Sequence, residues 1–430
     1  MNALVIGFIA IAAFLILAGM GLPLAFCFIT VGFAGLITVR GLVPAMSLLG
    51  ETPYSAIASY LLCAVPLFVL MGQFAFHSGI SRDLFTAAHK WMSRLPGGVA
   101  EATMLACTAF AACTGSSVAS AATMGAVSFP EMKRLKYSPR LATGTIAAGG
   151  ALGILIPPST IFIILGIITE TSIGVLFIAG FLPGILLSAL FLILIFSMCK
   201  LSPTMGPVGE SYPWRERFSS LSGVWGMLAL FVIVIGGLYV GVFAPSEAGT
   251  IGAFGAFVIA IVKRTPRSAI VEALKESAQT TAYILFILIG AHVFNSFLAL
   301  SGVSAALGAW ILSFHAPPMV TIIIILILYI PLGMFIDPLG SILLTVPVFF
   351  PLVIELGFDP IWFLVLVCVM TELGLITPPV AINVYVVQGV TKVPMEEVFR
   401  GIIPFAIVFL IGIALLVAFP QIILFLPSTM

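Results

Sequence analysis

The feature that most constrains this chain is a succession of apolar segments that runs through its whole length. A helix needs about 20 consecutive apolar residues to cross a bilayer. Only 8% of the 430 residues are charged and 61% are hydrophobic, whereas soluble domains carry about 25% charged residues. We therefore predict an all-α polytopic membrane protein. The segments lie at roughly 3–20, 22–39, 61–78, 97–130, 141–168, 173–199, 222–242, 246–262, 279–300, 303–314, 318–354, 359–388 and 401–426.

Two of these segments are interrupted near the middle by short polar or helix-breaking stretches. Segment 97–130 is broken at residues 113–117, and segment 318–354 is broken at residues 335–338. The predicted legs on either side of each break are about 15 residues long, which is short for a full crossing. We predict that both segments are re-entrant helical hairpins, which enter and leave the membrane on the same face.

Two further segments, 141–168 and 359–388, contain proline pairs. The pairs are Pro157-Pro158 and Pro378-Pro379. Proline lacks a backbone N–H and clashes with the preceding turn, so a helix is interrupted there and upstream carbonyls lose their partners. We predict that both segments are broken helices.

The order of elements repeats along the chain. Residues 1–200 and 221–430 each give two spans, a short connector, a span, a hairpin, a broken helix and a last span, with connectors at about 41–58 and 264–278. Each half then crosses the membrane five times, so the second half is inverted relative to the first. Inverted repeats with broken helices near the midplane are how many secondary transporters build their sites. Residues 201–220 form a polar linker between the halves.

Basic residues orient this topology. Positive charge collects in cytoplasmic loops. When the loop that contains Arg82, Lys90 and Arg94 is placed inside, Arg40 is the one residue among 17 Lys and Arg that falls outside. The linker 201–220 is then cytoplasmic, and both chain ends are predicted to be periplasmic.

Asp337 stands out because a carboxylate at membrane depth is costly and usually faces a cavity or an ion pathway. It lies among the helix-breaking residues Pro331, Gly333, Pro338 and Gly340. Irregular backbone is tolerated at that depth only where it is buried in protein or lines a wet cavity. The stretch therefore predicts a cation or substrate site.

The hairpin tips and proline breaks together suggest two sodium sites, because hydroxyls and freed carbonyls are the ligands that broken transporter helices offer to Na⁺. The alternative is that the breaks are kinks packed through small residues. One break alone would favour kinks, but four matched breaks favour sites. The candidate ligand residues are Thr114, Ser116, Gly153 and Pro157 for one site, and Asp337, Ser341, Gly374, Thr377 and Pro378 for the other.

An anionic substrate suits the same region, because the half-helices after each proline pair direct positive dipole ends toward the midplane. No basic residue lies in either break. The role of Glu372 stays open among a proton carrier, a ligand and a carboxylate that is hydrogen-bonded to neighbouring helices, the last being favoured slightly. The candidate substrate-binding residues are Ser117, Ser159, Thr160, Asp337 and Asn383.

Enzymatic and ATP-coupled functions have no support in the sequence. It contains no H-E-x-x-H zinc motif, no nucleophile elbow and no Walker A motif. The net charge of +1 gives no reason to expect nucleic acid as a partner. We predict that the chain is not an enzyme.

The motifs together resemble the large membrane (M) subunit of tripartite ATP-independent periplasmic (TRAP) transporters. The resemblance covers essentially the full length of the chain. The residues that carry it are 114–117 with Ala119 and Ala122, 153–159, 333–337 with Pro347 and Pro351, and 374–379 with Asn383.

This resemblance implies a sodium-driven importer of elevator type in a bacterial inner membrane, coupled to two or more Na⁺ ions. It implies a small four-helix membrane subunit as a separate chain, and a periplasmic substrate-binding protein. Family substrates are mostly organic acids such as C4-dicarboxylates and sialic acid, and overall similarity leans weakly toward the sialic acid branch. By resemblance the hairpins and broken helices move, while the connectors and the spans in 1–78 and their counterparts form the scaffold.

Two other functions remain open at this point. One is a stand-alone carrier or Na⁺/H⁺ antiporter that uses Asp337 and Glu372 as proton sites, which a pH-dependent flux without partners would favour. The other is a membrane scaffold subunit that transports nothing, in which the breaks serve packing alone. The scaffold alternative predicts that Asp337→Asn and Ser116→Ala leave function intact.

Overall fold

A computed structural model describes residues 2–313 and 315–430, so the last residue of the predicted segment 303–314 lies outside the described residues. Every regular element in the described residues is helical. Three are short 3-10 helices, at Tyr60–Cys63, Ala151–Ile154 and Pro427–Thr429. The α-helices are α1 (Ala3–Gly19), α2 (Leu24–Arg40), α3 (Leu42–Ile57), α4 (Ala64–His77), α5 (Ile80–Met92), α6 (Gly98–Thr114), α7 (Ser117–Arg134), α8 (Pro139–Gly150), α9 (Thr160–Ile168), α10 (Ile173–Leu201), α11 (Trp214–Leu221), α12 (Trp225–Tyr239), α13 (Pro245–Val262), α14 (Arg267–Ser301), α15 (Val303–Ser313), α16 (Pro318–Phe335), α17 (Pro338–Glu355), α18 (Pro360–Ile376), α19 (Ile382–Thr391), α20 (Met395–Ala418) and α21 (Gln421–Leu424).

Many of these helices have the length and apolarity of membrane spans. Within the described residues, 7 helical segments qualify, or 8 if the bent pair α11 and α12 counts as one span. Several shorter apolar helices accompany them. The predicted class, an all-α polytopic membrane protein, is confirmed.

Both predicted hairpins are helix–break–helix units. The legs α6 and α7 contain 17 and 18 residues, and α16 and α17 contain 18 each. These legs are longer than the predicted 15 residues; α7, for example, continues past Pro130 to Arg134. Because about 17 residues are enough for a short span, leg length does not distinguish a re-entrant hairpin from two crossings. Re-entrance stays a prediction.

The two connectors differ. The first is a separate helix, α3, divided from α4 by residues 58–63. The second runs without a break into the following span, so that α14 is one helix of 35 residues. The segment before the first hairpin is also more ordered than the predicted loop, because it forms the amphipathic helix α5.

The halves of the chain pack against each other reciprocally. Helix α2 packs on α14, and α4 packs on α13. In the same way α8 contacts α20 while α10 contacts α18, and α7 contacts α19 while α9 contacts α17. Such exchange of partners is expected of two halves related by a twofold axis. The repeat boundaries and the inversion stay predictions.

Loops from distant parts of the sequence meet at one face of the bundle. The Ser138 amide donates to the Met205 carbonyl at 2.9 Å, and the Gly97 amide donates to the Gly206 carbonyl at 3.1 Å. Much of the basic charge of the chain is at this face, which we predict to be cytoplasmic. Three ion pairs join its segments: Lys263 with Asp83, Lys90 with Glu216 and Arg140 with Glu397.

Candidate functional site

The first hairpin tip is a tight turn between α6 and α7. Gly115 has a φ of 56°, a left-handed conformation that glycine adopts readily. Ser116 then caps α7, its Oγ accepting from the Ala119 amide at 3.3 Å. The hydroxyls of Thr114 and Ser120 lie 2.8 Å apart. The turn thus gathers hydroxyl and carbonyl oxygens at one point.

This tip packs directly on the first broken helix. A Cβ on Gly153 would lie 2.8 Å from the Ser116 carbonyl oxygen, so the contact requires glycine. Thr160 Oγ1 donates to the Gly115 carbonyl at 3.3 Å. The break itself holds a cis peptide between Pro157 and Pro158 and places irregular backbone between Leu155 and the start of α9.

Asp337 forms the tip of the second hairpin. Its Oδ1 accepts from the Gly340 amide at 2.8 Å, so the residue caps α17. Its Oδ2 accepts from the Tyr283 hydroxyl at 3.4 Å. Ser341 lies in the first turn of α17, where it is buried and its hydroxyl donates to the Ile336 carbonyl at 3.4 Å. The carboxylate therefore links the second hairpin to α14.

The second hairpin and the second broken helix also meet through glycine. A Cβ on Gly374 would lie 2.6 Å from the Gly333 Cα. Helix α18 ends two residues later, and the hydroxyl of Thr377 donates back to the Leu373 carbonyl at 2.6 Å. The peptide between Pro378 and Pro379 is cis, as in the first break.

A cavity of about 460 Å³ lies between the two hairpin tips. It is walled by α4, α7, α9, α14 and the start of α17. The predicted site residues that line it are Thr114, Ser116, Ser117, Thr160 and Asp337. The remaining predicted site residues do not line it: Gly153, Pro157, Ser159, Ser341, Gly374, Thr377, Pro378 and Asn383.

The structure explains why the second group lies elsewhere. Ser159 is buried and caps α9, its Oγ accepting from the Phe162 amide at 3.5 Å. Asn383 is buried in α19, where neither polar atom of its side-chain amide has a hydrogen-bond partner among the described residues. Gly153 packs against Ser116 of the first hairpin, and Gly374 packs against Gly333 of the second. Ser159, Gly153 and Gly374 thus pack against the irregular backbone rather than facing the cavity.

Helix α14 adds cavity residues that the sequence analysis missed. Glu276, Thr280 and Tyr283 line the cavity, at the i, i+4 and i+7 spacing that places side chains on one helix face. This row of polar residues could have revealed the cavity-facing side of α14 from the sequence. Its first residue, Glu276, falls in the predicted connector 264–278 rather than in a predicted span. Gln73 of α4 also lines the cavity.

The cavity combines negative side chains with positive helix ends. Asp337 and Glu276 line it, and the described residues that line it include no Lys or Arg. Glu276 Oε2 lies 3.0 Å from His77 Nε2. The first residues of α7, α9 and α17 also line the cavity, and helix N-termini attract anions. The site can therefore receive a hard cation through its oxygens and an anionic group through the helix ends.

Glu372 connects the halves behind the cavity. The Ser117 hydroxyl donates to Glu372 Oε1 at 2.7 Å, while Oε2 is buried and has no hydrogen-bond partner within residues 2–313 and 315–430. Of the three roles left open above, the structure shows the hydrogen bond to a neighbouring helix. In the described part of the chain no three His, Cys, Asp or Glu side chains converge on a point where a metal ion would fit.

The sequence of the chain matches the model of a known protein family over almost its whole length. The profile of the tripartite ATP-independent periplasmic transporter, DctM component, matches residues 11–422. The chain belongs to this family. The predicted resemblance to TRAP large permease subunits is confirmed.

Individual relatives agree with this family assignment. The chain is 34% identical to the C4-dicarboxylate TRAP transporter large permease protein DctM of Pseudomonas aeruginosa, covering 93% of this chain and 94% of that protein. It is 32% identical to the sialic acid large permease SiaM of Vibrio cholerae (95% and 95%) and 31% identical to the 2,3-diketo-L-gulonate large permease YiaN of Escherichia coli (94% and 95%). Because these identities are nearly equal, the lean toward sialic acid is not supported. These relatives are permease subunits, not enzymes.

Solved transporters share the fold at low sequence identity. The YdaH transporter of Alcanivorax borkumensis superposes with a TM-score of 0.63 at 16% identity, covering 89% of each chain. MtrF of Neisseria gonorrhoeae gives a TM-score of 0.58 at 14% identity, covering 89% of this chain and 85% of that chain. At these identities the likeness concerns the fold alone. It agrees with a transporter architecture for this TRAP family member.

Proposed function

We propose that this chain is the translocation subunit of a sodium-driven importer of organic anions. The observation that carries the proposal is the cavity between the hairpin tips, where carboxylate, hydroxyl and carbonyl oxygens meet three helix N-termini. A cation and an anion placed there would screen each other's charge. Binding of each would then favour binding of the other, which is the coupling that symport requires.

Sodium suits the oxygen groups at the tips. The first tip offers the hydroxyls of Thr114 and Ser116 and the carbonyl of Gly115, and the second tip offers the negative charge of Asp337. Hard cations take hydroxyl, carbonyl and carboxylate oxygens, and broken transporter helices present them near the midplane. We propose two or more Na⁺ ions as cotransported cargo.

The substrate class follows from the helix ends and from the relatives. C4-dicarboxylate, sialic acid and 2,3-diketo-L-gulonate appear in the names of relatives, and each carries a carboxylate. Because no Lys or Arg is among the described residues that line the cavity, we propose that backbone N–H groups in the first turns of α7 and α9, near Ser117 and Thr160, hold the anionic group.

Partners and motion complete the proposal. We propose that the chain works in a bacterial inner membrane with a small four-helix membrane subunit and a periplasmic binding protein that delivers the substrate. The relative named isethionate TRAP transporter permease protein DctMQ, of which this chain covers 60%, supports a second membrane component. We propose an elevator motion in which the hairpins and broken helices move against α2, α4, α13 and α14.

A proton-coupled carrier that works without partners is the second candidate. Glu372 supports it, because this carboxylate is buried with one unpartnered oxygen. Intramembrane carboxylates of this kind serve as proton relays in transporters.

Uptake into proteoliposomes separates the two candidates. The chain is reconstituted with the proposed small subunit and binding protein, and radiolabelled succinate and N-acetylneuraminate are offered under separate Na⁺ and proton gradients. The proposal predicts uptake of an organic anion that requires both Na⁺ and the binding protein. Uptake driven by a proton gradient without partners would replace it with the second candidate.

A further inference from the structure

The cavity at the hairpin tips is the inner end of a longer groove. A second cavity, of about 540 Å³, shares Phe76, Ala122 and Thr123 with the first. A third, of about 630 Å³, shares Arg82, Ala126 and Val127 with the second. Each cavity thus continues into the next along α7.

The groove follows α7 from end to end. One wall is α7, where the small residues Ala119, Ala122 and Ala126 leave space. The facing wall is the end of α4 and the helix α5, including Phe76 and Phe85. With a rise of 1.5 Å per residue, the 18 residues of α7 extend about 25 Å. That distance leads from the hairpin tip to the basic face of the bundle.

Charge changes sign along this groove. The inner cavity has the carboxylates of Asp337 and Glu276, whereas the outer cavity has Arg82, Lys90 and Arg134 with Glu131 as its one carboxylate. Burial lowers the pKa of His89, which also lines the outer cavity, and so favours the uncharged form of its imidazole.

Ion pairing leaves Arg82 as the excess charge. Arg134 Nη2 lies 2.6 Å from Glu131 Oε1, and Lys90 Nζ lies 3.5 Å from Glu216 Oε2. Arg82 is exposed and has no ion-pair partner among residues 2–313 and 315–430. The outer end of the groove therefore carries net positive charge that faces an open cavity.

We propose that this groove is the route by which the anionic substrate leaves the hairpin-tip site, and that Arg82 is the charge that receives it. This inference rests on the proposed function. An anion in the inner cavity is repelled by the carboxylates of Asp337 and Glu276 and attracted by the positive charge of Arg82. The low-dielectric walls of the groove focus this electric field. The outer end lies at the face that collects the basic loops, so release is toward the cytoplasm.

Thiol labelling tests the charge of the groove without any substrate. Ala126 lines both outer cavities and is exposed, so Ala126→Cys places a reporter in the groove. Cys63 is the one exposed native cysteine and is first changed to Ser. Anionic (sulfonatoethyl) and cationic (trimethylammonioethyl) methanethiosulfonates are compared on the full chain. We expect the ratio of the anionic to the cationic labelling rate to be higher at the thiol of the Ala126→Cys variant than at Cys63 of the wild-type protein.

Adding Arg82→Gln is expected to lower the anionic-to-cationic rate ratio severalfold, since removal of one unit charge at a typical separation of about 8 Å in water changes such a ratio about fivefold. Lys200→Gln is the matched control, because Lys200 is an exposed basic residue outside the groove, and it should leave the ratio unchanged. A ratio that does not respond to Arg82→Gln would overturn the role of Arg82.

Blocking the groove tests the route itself. A bulky maleimide on the thiol of the Ala126→Cys variant should abolish anion uptake while leaving stabilisation by Na⁺ intact, since the label lies outside the inner cavity. Full uptake by the labelled protein would overturn the route and would indicate a different occupant, such as a lipid headgroup. If unlabelled protein transports no organic anion under any gradient, the proposed function fails, although the labelling ratio still reports the groove charge.

Discussion

At the scale of single residues, two carboxylates inside the bundle have separate environments. Asp337 is half-buried at the cavity, where it caps α17 and accepts from Tyr283. Glu372 is fully buried behind the cavity, and its hydrogen bond to Ser117 joins the first hairpin to the second broken helix. The first therefore suits ion binding, and the second suits the connection of the halves.

Ser117→Ala removes the partner of Glu372. Leaving a buried polar group unsatisfied costs about 1–3 kcal/mol, so we expect the unfolding free energy to fall by about that amount. Thermal or denaturant unfolding in detergent measures the change. Ser296→Ala is the control, because this serine bonds only the His292 carbonyl in its own helix, and its effect should stay within about 0.5 kcal/mol.

A double-mutant cycle decides whether the contact itself is responsible. Ser117→Ala should cost less in a Glu372→Met background, where no oxygen is left to accept the hydrogen bond, with a coupling of about 0.5–3 kcal/mol. Additive effects of the two substitutions would show that Ser117 and Glu372 do not interact.

The ion pair between Arg140 and Glu397 gives a prediction about acid stability. Glu397 lies at the basic face, ahead of the apolar segment 401–426. The hydrogen bond from Arg140 holds the pKa of Glu397 below its usual value of 4.5. A carboxyl whose pKa is lowered on folding stabilises the fold above its unfolded pKa and loses that contribution as the pH falls through its folded pKa. We expect Glu397→Gln to reduce the loss of melting temperature between pH 5 and pH 3. An identical acid profile for both proteins would contradict this assignment.

At the scale of elements, glycine contacts hold each hairpin against the following broken helix. Gly153 fits against Ser116, and Gly374 fits against Gly333. In both places the neighbouring atoms belong to the backbone, which moves less readily than a side chain. The irregular oxygen-rich stretches are therefore held at fixed positions by helix packing.

Gly374→Ala should disturb this packing strongly. Its Cβ would lie 2.6 Å from the Gly333 Cα, and overpacking of this kind costs about 1–3 kcal/mol. We expect a lower melting temperature and impaired uptake. Gly389→Ala in α19 is the matched control, because no atom lies within 4 Å of its added Cβ, and it should be neutral or slightly stabilising. Equal melting temperatures for the two variants would contradict the close contact.

At the scale of the whole molecule, local sequence rules account for the breaks but not for the cavity. Gly115, Asp337 and the two proline pairs interrupt apolar segments, so their positions follow from the sequence. The part of the cavity contributed by Glu276 and Tyr283 depends on how α14 packs, which no local pattern determines. Asn383 and Ser341 show the converse, because polarity marked them as candidates while tertiary packing buries them away from the cavity.

The amphipathic helix α5 shows a further limit. Its basic residues support the predicted orientation by the positive-inside rule, but they do not show that Arg82 and Lys90 line a groove with α7. That juxtaposition joins residues far apart in sequence. A basic loop and a basic cavity look the same until the fold is known.

The most direct test of the central claim is the melting temperature of the purified protein as a function of NaCl, with choline chloride at matched ionic strength. A ligand that binds the folded state stabilises it by about 2.7 kcal/mol at a hundredfold excess over Kd. The control variant is Asp359→Asn, because Asp359 caps α18 as Asp337 caps α17 but lies outside the cavity.

We predict a rise specific to Na⁺ in the wild type and in Asp359→Asn, and a much smaller rise in Asp337→Asn. This result would place a sodium ion at the second hairpin tip. Equal melting curves in NaCl and choline chloride, or a full Na⁺ response in Asp337→Asn, would contradict a sodium site at Asp337.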